Sequence, residues 1–246
     1  IWRFCCKRSI IEAIMKARHY LLSGIERLKK MSDGWGIKRV IKPLYLPLLL
    51  KVKFLILNKN FKMKGKSTML IALQALDEIG LFYWIEFGTL LGIIRDGKLI
   101  DHDTDLDFGV LLDDYTPHIE KALVKHGFRK IHRIEVDEGR YGLEESYELN
   151  GVTLDLFFFS KVEGGMHCHL FPNSPEGSRL VRECFTRVTT FDKITWQGSV
   201  LNIPADPAQR LTDTYGDYLI PRKDWHTPTS ALNSKIISRS CNTAYY

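Results

Sequence analysis

The stretch "FGTLLGIIRDGKLIDHDTDLDFGV", residues 87–110, follows a glycine-containing apolar run with four aspartates at every second position, Asp101, Asp103, Asp105 and Asp107. Two carboxylates about 5 Å apart, at an effective dielectric near 20, repel by roughly 3 kcal/mol. Something must offset that cost, and a divalent cation is the simplest candidate. Read as a strand, "DTDLDFGV" sends Asp103, Asp105 and Asp107 to one face, about 6.6 Å between successive carboxylates, and Thr104, Leu106 and Phe108 to the other.

Downstream, "ESYELNGVTLDLFFFS" (145–160) sets two strand-like runs either side of Asn150-Gly151, the strongest short hairpin signal. Asp155 sits in the second run between Leu154 and Leu156, and an acid in so apolar a strand is rarely there for packing. If this strand neighbours the aspartate strand, about 4.8 Å away, Asp155 joins Asp105 and Asp107 in a carboxylate trio. Oxygen ligands without a companion His or Cys set suit Mg²⁺ or Mn²⁺, which also take ligands from substrate phosphates. The motif therefore reads as a metal site for phosphoryl chemistry. Upstream, Gly88-Thr89 breaks a β-rich run and opens a short helix, "LLGIIR". Its N–H groups are expected to be free for a phosphate, with Arg95 as a bidentate partner. A calcium loop does not fit: started at Asp101 it puts Leu106 at the glycine position and Leu112 at the glutamate position, and started at Asp103 it puts Phe108 where glycine is needed.

Ser67 as N-cap, with Leu70, Leu73, Leu76 and Ile79 at helical spacing and Gly80 behind them, predicts a helix ahead of the motif. Thr116-Pro117 opens another that ends at Gly127, and Asp206-Pro207 a third that reaches Tyr215 before Gly216. Strands are expected at 166–171 and on both sides of 196–199. Helices interleaved with strands of mixed direction give an α+β body, a mixed sheet with flanking helices. His167 and His169 share a strand face, but no third ligand lies near in sequence, so both read as ordinary strand positions. Glu86, on a buried run two residues before Gly88, is either a buried hydrogen-bonding acid or a substrate contact.

The 246 residues are 45% hydrophobic and 26% charged, a globular composition. Net charge is +6, divided unevenly: residues 1–66 hold 17 Lys and Arg against 3 Asp and Glu, a net +14, and residues 67–246 carry −8. The division predicts a basic helical arm, 1–66, ahead of a catalytic body, 67–246. Within the arm, Ile11, Ile14, Met15, Leu21, Leu22 and Ile25 fall near one side of a helix. Such a basic amphipathic helix either packs on the body or lies on an anionic membrane surface. No recognition motif accompanies it, so nucleic acid is not expected as a partner. The longest apolar stretch, 44–57, contains Pro47, Lys51 and Lys53 and is too short to span a bilayer. Five scattered cysteines without a framework spacing, and no visible secretory signal, predict a cytoplasmic address at the membrane surface.

Four segments in order resemble the LicD and fukutin-related phosphotransferases: Gly88-Thr89-Leu90-Leu91-Gly92 with Arg95, the Asp103/Asp105/Asp107 run, the apolar strand with Asp155, and "LTDTYGDYLIPRKDW" (211–225). The resemblance covers roughly 70–225. It implies a nucleotidyltransferase-like fold and transfer of a phosphorylated alcohol from a CDP-alcohol to a glycan hydroxyl, on a free or lipid-linked glycan, releasing CMP. The alcohol would be of the phosphocholine, ribitol phosphate or glycerol phosphate type. It implies that Asp105, Asp107 and Asp155 hold Mg²⁺ or Mn²⁺, that Asp103 assists them, and that Gly88, Thr89, Arg95, Tyr215 and Asp217 contact substrate. Two departures stand out: Phe87 where the family often has glycine, and His102 where it often has tryptophan. A nucleotidyltransferase releasing pyrophosphate, and a D-x-D glycosyltransferase using a sugar nucleotide, remain alternatives that the aspartates alone do not separate.

Overall fold

The computed structural model describes residues 37–174, 178–222 and 224–246. The amphipathic pattern within residues 1–36 lies outside them. The chain divides into two compact units, Ile1–Leu55 and Ile56–Tyr246. In the first, the described residues are helical, the beginning of helix α1, Ile37–Glu78. No described helix is long and apolar enough to cross a membrane.

In the second unit α1 continues through Ser67 without a break. Ser67 is not an N-cap: its hydroxyl donates to the Lys64 carbonyl one turn back, the alternative a serine takes inside a helix. Residues 56–66, expected in the arm, belong to this compact unit. Phe61 is buried in its core, Asn58 holds the loop before the aspartate strand, and Lys64 donates to the Asn150 carbonyl.

After α1 come β1 (Tyr83–Ile85), α2 (Phe87–Leu91) running on into a π-turn over Gly92–Asp96, β2 (Asp105–Leu111) and α3 (His118–Lys125). Four antiparallel-linked strands follow: β3 (Arg129–Val136), β4 (Gly142–Leu149), β5 (Val152–Val162) and β6 (Gly165–Leu170). Then come β7 (Val181–Thr186), the hairpin β8–β9 (Phe191–Trp196 and Ser199–Pro204), α4 (Pro207–Tyr215), α5 (Thr227–Ser230), β10 (Ser234–Ile237) and β11 (Asn242–Tyr245). The fold is the expected α+β.

The main sheet runs β10-β7-β6-β5-β4-β3-β11, with β2 joining β5 and β1 joining β2. β5 is its spine. Its first part pairs antiparallel with β4 through the turn at Asn150 (φ 59°) and Gly151 (φ 79°), the positive angles a two-residue hairpin demands. It also pairs parallel with β2, and residues 160–162 alone pass on to β6. Both faces of β5 are covered, which is why it reads as a continuous apolar run. Leu154, Leu156 and Phe158 enter one core cluster with Leu106, Phe108 and Leu76; Phe157 and Phe159 enter a second with Trp84, Phe87, Met166, Cys168 and Cys184.

Candidate active site

The parallel register places Asp107 directly opposite Asp155. Asp105, Asp107 and Asp155 each offer an oxygen such that all three lie within 4.8 Å of one another. Along the same strand face, Gly109 leaves room for the Trp84 indole, which lies 2.2 Å from where a Cβ would be. The carboxylate group therefore has an aromatic wall on one side. Asp103 precedes β2 rather than lying in it, and Asn58 fixes its backbone: the Asn58 amide donates to the carbonyls of Asp101 and Asp103 at 2.8 and 2.9 Å. Asp101 is exposed and paired with Lys98, outside the group.

The α2 N-terminus serves the site differently from expectation. The Gly88 N–H donates to Asp107 Oδ2 at 2.8 Å and the Thr89 N–H to the same oxygen at 3.4 Å, while the Asp107 N–H donates to Thr89 Oγ1 at 2.8 Å. These N–H groups hold a protein carboxylate instead of waiting for a phosphate, because a buried anion at a helix N-terminus takes the nearest donors. The helix begins at Phe87, so Gly88 and Thr89 lie inside its first turn. Phe87 has φ 40°, a left-handed backbone angle that suits glycine and strains phenylalanine. That accounts for glycine as the family's usual residue there; here the ring is held by Phe157, centroids 4.8 Å apart. A Cβ on Gly88 would stand 2.8 Å from Asp103 Oδ2 and 3.1 Å from Asp107 Oδ2, inside the carboxylate cluster. On Gly92 it would meet the Lys98 carbonyl at 2.6 Å. The first glycine of the motif makes room for the acids and the second for packing.

Burial raises Asp107 well above the ordinary carboxylate range, and the charges of Asp105, Asp103 and Asp155 push it further. Asp155 is raised by burial, then by Asp105 and Glu144, and Asp103 by burial and by Asp105. Among the described residues no Lys or Arg forms an ion pair with any of the four. A cluster of hard oxygens, self-repelling and without a protein cation, fits a divalent ion of the Mg²⁺ or Mn²⁺ kind.

Of the other expected contacts, Tyr215 at the end of α4 is brought close. It is buried, and its pKa is raised first by burial and then by the charge of Asp107. Arg95 is committed elsewhere: Nε and Nη2 donate to both oxygens of Asp96 at 2.9 and 2.7 Å. Asp217 is exposed in the turn after α4. Glu86 is a buried hydrogen-bonding acid, accepting from Arg210 Nε (2.9 Å), Trp84 Nε1 (2.7 Å) and the Phe87 N–H. Arg210, wholly buried on α4, ties the helix that carries Tyr215 to the one that carries Gly88; the sequence offers no signal for it. Also unread in the sequence is a chain behind Asp155: Ser146 donates to its Oδ1, His132 Nε2 lies 2.9 Å from Ser146 Oγ, and Glu144 Oε1 is 3.3 Å from that nitrogen.

A family model for the LicD/FKTN/FKRP nucleotidyltransferase domain matches residues 80–206, the span holding α2, the aspartates and β5. The chain belongs to this family. Ribitol-5-phosphate transferase FKTN of Mus musculus is 27% identical over 178 residues, 70% of this chain and 37% of that protein, and the Homo sapiens protein is 26% identical over the same shares. Ribitol 5-phosphate transferase FKRP of Homo sapiens is 39% identical over 49 residues, 20% of this chain and 10% of that one. The chain thus spans little more than a third of the FKTN relatives. Three of the four resembling segments fall inside the matched span, and Tyr215 of the fourth, beyond it, is buried beside Asp107, whereas Arg95 is paired with Asp96 and Asp217 is exposed.

Proposed function

We propose that the chain is a metal-dependent phosphotransferase that moves a ribitol phosphate-type group from a CDP-alcohol to a glycan hydroxyl and releases CMP. The observation that carries this reading is the convergence of Asp105, Asp107 and Asp155 on two parallel strands, without a cation from the described residues, inside the LicD-family domain. The names of the FKTN and FKRP relatives favour ribitol phosphate over the other alcohols.

Mg²⁺ or Mn²⁺ bound by the three carboxylates would neutralise the donor diphosphate and stabilise the attacking and leaving oxygens. Asp107, fixed by the Gly88 and Thr89 N–H groups, presents its free oxygen at a set position. The acceptor hydroxyl oxygen attacks the phosphorus that bears the alcohol, the bond from that phosphorus to the CMP oxygen breaks, and the hydroxyl proton passes to Asp155. Ser146, hydrogen-bonded to Asp155, orients that carboxylate toward the acceptor. Asp103, raised first by burial and then by the charge of Asp105, is an auxiliary proton acceptor. Tyr215, buried beside Asp107, would close the inner side of the site.

The test is a donor panel: purified chain, Mg²⁺ or Mn²⁺, CDP-ribitol, CDP-glycerol, CDP-choline, nucleoside triphosphates and sugar nucleotides, glycan acceptors, and mass spectrometry of the released nucleotide. CMP with a phosphoalcohol on the glycan is expected. Pyrophosphate or a nucleoside diphosphate would replace this reading with nucleotidyl or sugar transfer. Residues 1–66, at +14, would hold the enzyme on an anionic membrane carrying a lipid-linked acceptor. Deleting 1–30 should then reduce co-sedimentation with anionic vesicles, and unchanged binding would remove the membrane from the account.

A further inference from the structure

A second cluster of ligand-type side chains lies on the far part of the sheet. His167 and His169 alternate on one face of β6, and Glu183 stands directly opposite His169 on β7. The third ligand missing from the local sequence is thus supplied by the neighbouring strand. One ring nitrogen of each histidine and a carboxylate oxygen of Glu183 lie within 4.8 Å of one another. Between them, Cys168 and Cys184 face the opposite side, in the apolar cluster around Trp84.

Two features set this group apart from ordinary strand histidines. His169 is 1% exposed, yet neither of its ring nitrogens has a hydrogen-bond partner among the described residues, and His167 Nε2 has none either. A neutral imidazole keeps one donor and one acceptor, so both are left unused in a dry place. The surroundings are also closed around it. Gly142 of β4 approaches so near that a Cβ there would lie 2.4 Å from His169 Nδ1, and the Tyr141 hydroxyl sits 2.8 Å from Glu183 Oε2.

We propose that His167, His169 and Glu183 bind a zinc ion that pins β6 to β7, with Tyr141 closing the fourth side. Imidazole and carboxylate in this number suit Zn²⁺, and a closed four-sided site is structural rather than catalytic. Tetrahedral zinc needs ligand atoms about 3.4 Å apart, within reach of small side-chain rotations from the present spacing. Two cations flank the cluster. Lys235 Nζ is 3.2 Å from Glu183 Oε1, and Arg239 lies over the Tyr141 ring at 3.8 Å. Lys235 is 74% exposed, so it swings into solvent when the metal takes its partner.

The experiment is a Zn²⁺ titration of the chelator-stripped full chain against a competing chromophoric chelator, repeated with Co²⁺ for its visible bands. Wild type with its carboxylate site held by excess Mg²⁺, and the Asp105→Asn/Asp155→Asn double variant, should each bind one Zn²⁺ with equal affinity and give the intense spectrum of tetrahedral Co²⁺. Glu183→Gln, which keeps the hydrogen-bonding shape, should weaken binding by at least about tenfold, the loss that even an outer partner of a ligand causes. His167→Gln should do the same, and stands in if Glu183→Gln fails to fold by circular dichroism. Lys235→Ala should tighten binding. Equal Zn²⁺ affinity in wild type and the ligand variants, loss of the site in the aspartate variant, or no uptake by folded wild type would each overturn the proposal.

Discussion

Buried and half-buried carboxylates occur in two settings in this molecule, and they are treated in opposite ways. Glu86 and Glu145 are each 1% exposed and each has a protein cation: Arg210 for Glu86, Lys130 and Arg133 for Glu145, at 2.8–2.9 Å. Tyrosine and tryptophan donors take their remaining oxygens. Among the described residues Asp103, Asp105, Asp107 and Asp155 stand together with only neutral donors, the Gly88, Thr89 and Thr104 N–H groups and the Thr104 and Ser146 hydroxyls. A fold able to supply guanidinium and ammonium partners for its structural acids withholds them here. The contrast separates acids that hold the fold from acids reserved for an external cation.

Asparagine at 105, 107 or 155 should reduce turnover the most, by about 10⁴-fold, the several kcal/mol of charge stabilisation that a metal supplies. A steady-state assay of CMP release checks this, and near wild-type activity in any of the three would break the contrast from the catalytic side. Arg210→Met should barely touch the chemistry directly, yet it should cost about 3–5 kcal/mol in urea unfolding, because Glu86 is left buried and charged without its cation. If it unfolds no more easily than wild type, the structural half of the comparison fails.

The pH dependence sharpens the contrast further. The native pKa values of Asp103, Asp107 and Asp155 lie above their unfolded values near 3.8, so the folded state binds more protons over that interval. The contribution of these three carboxyls to the stability of the metal-free protein is therefore full below about pH 3.8 and is lost as pH rises through the raised native values. Asp107→Asn should flatten this decline and stabilise the metal-free protein near neutrality by about 1 kcal/mol, and Mg²⁺ should flatten it in wild type. Thermal unfolding from acid to neutral pH, with and without chelator, measures both. The smallest effect on turnover is expected at Gly88→Ala, whose methyl crowds Asp103 and Asp107: about a tenfold loss with an unchanged melting temperature.

Much of the site could be read from spacing alone. The i, i+2 period of Asp105 and Asp107, the Asn150-Gly151 turn and an acid isolated in "VTLDLFFF" fix a face, a hairpin and a third ligand, and the structure joins them through the β2–β5 register. Side-chain partners chosen from distant chain were not legible. Arg210 is 124 residues from Glu86, and Ser146 with His132 reaches Asp155 only across β4. β3, "RKIHRIEV", hid its strand character because buried Lys130 is paired with Glu145 and Glu120, which masks the apolar alternation. β7, β10 and β11 are short, charged or at sheet edges, where burial writes little pattern into the sequence. Arg95 misled in the other direction, since its adjacent Asp96 satisfies it locally.

The most direct test of the central claim is Mn²⁺ binding followed by electron paramagnetic resonance, with and without CDP, in wild type, Asp155→Asn and Asp217→Asn. Wild type and Asp217→Asn should bind Mn²⁺ and bind it more tightly when CDP is present, and Asp155→Asn should lose the CDP-dependent gain. A CDP-dependent gain of the same size in Asp155→Asn would contradict the assignment of the three carboxylates as the site that holds metal on the donor diphosphate.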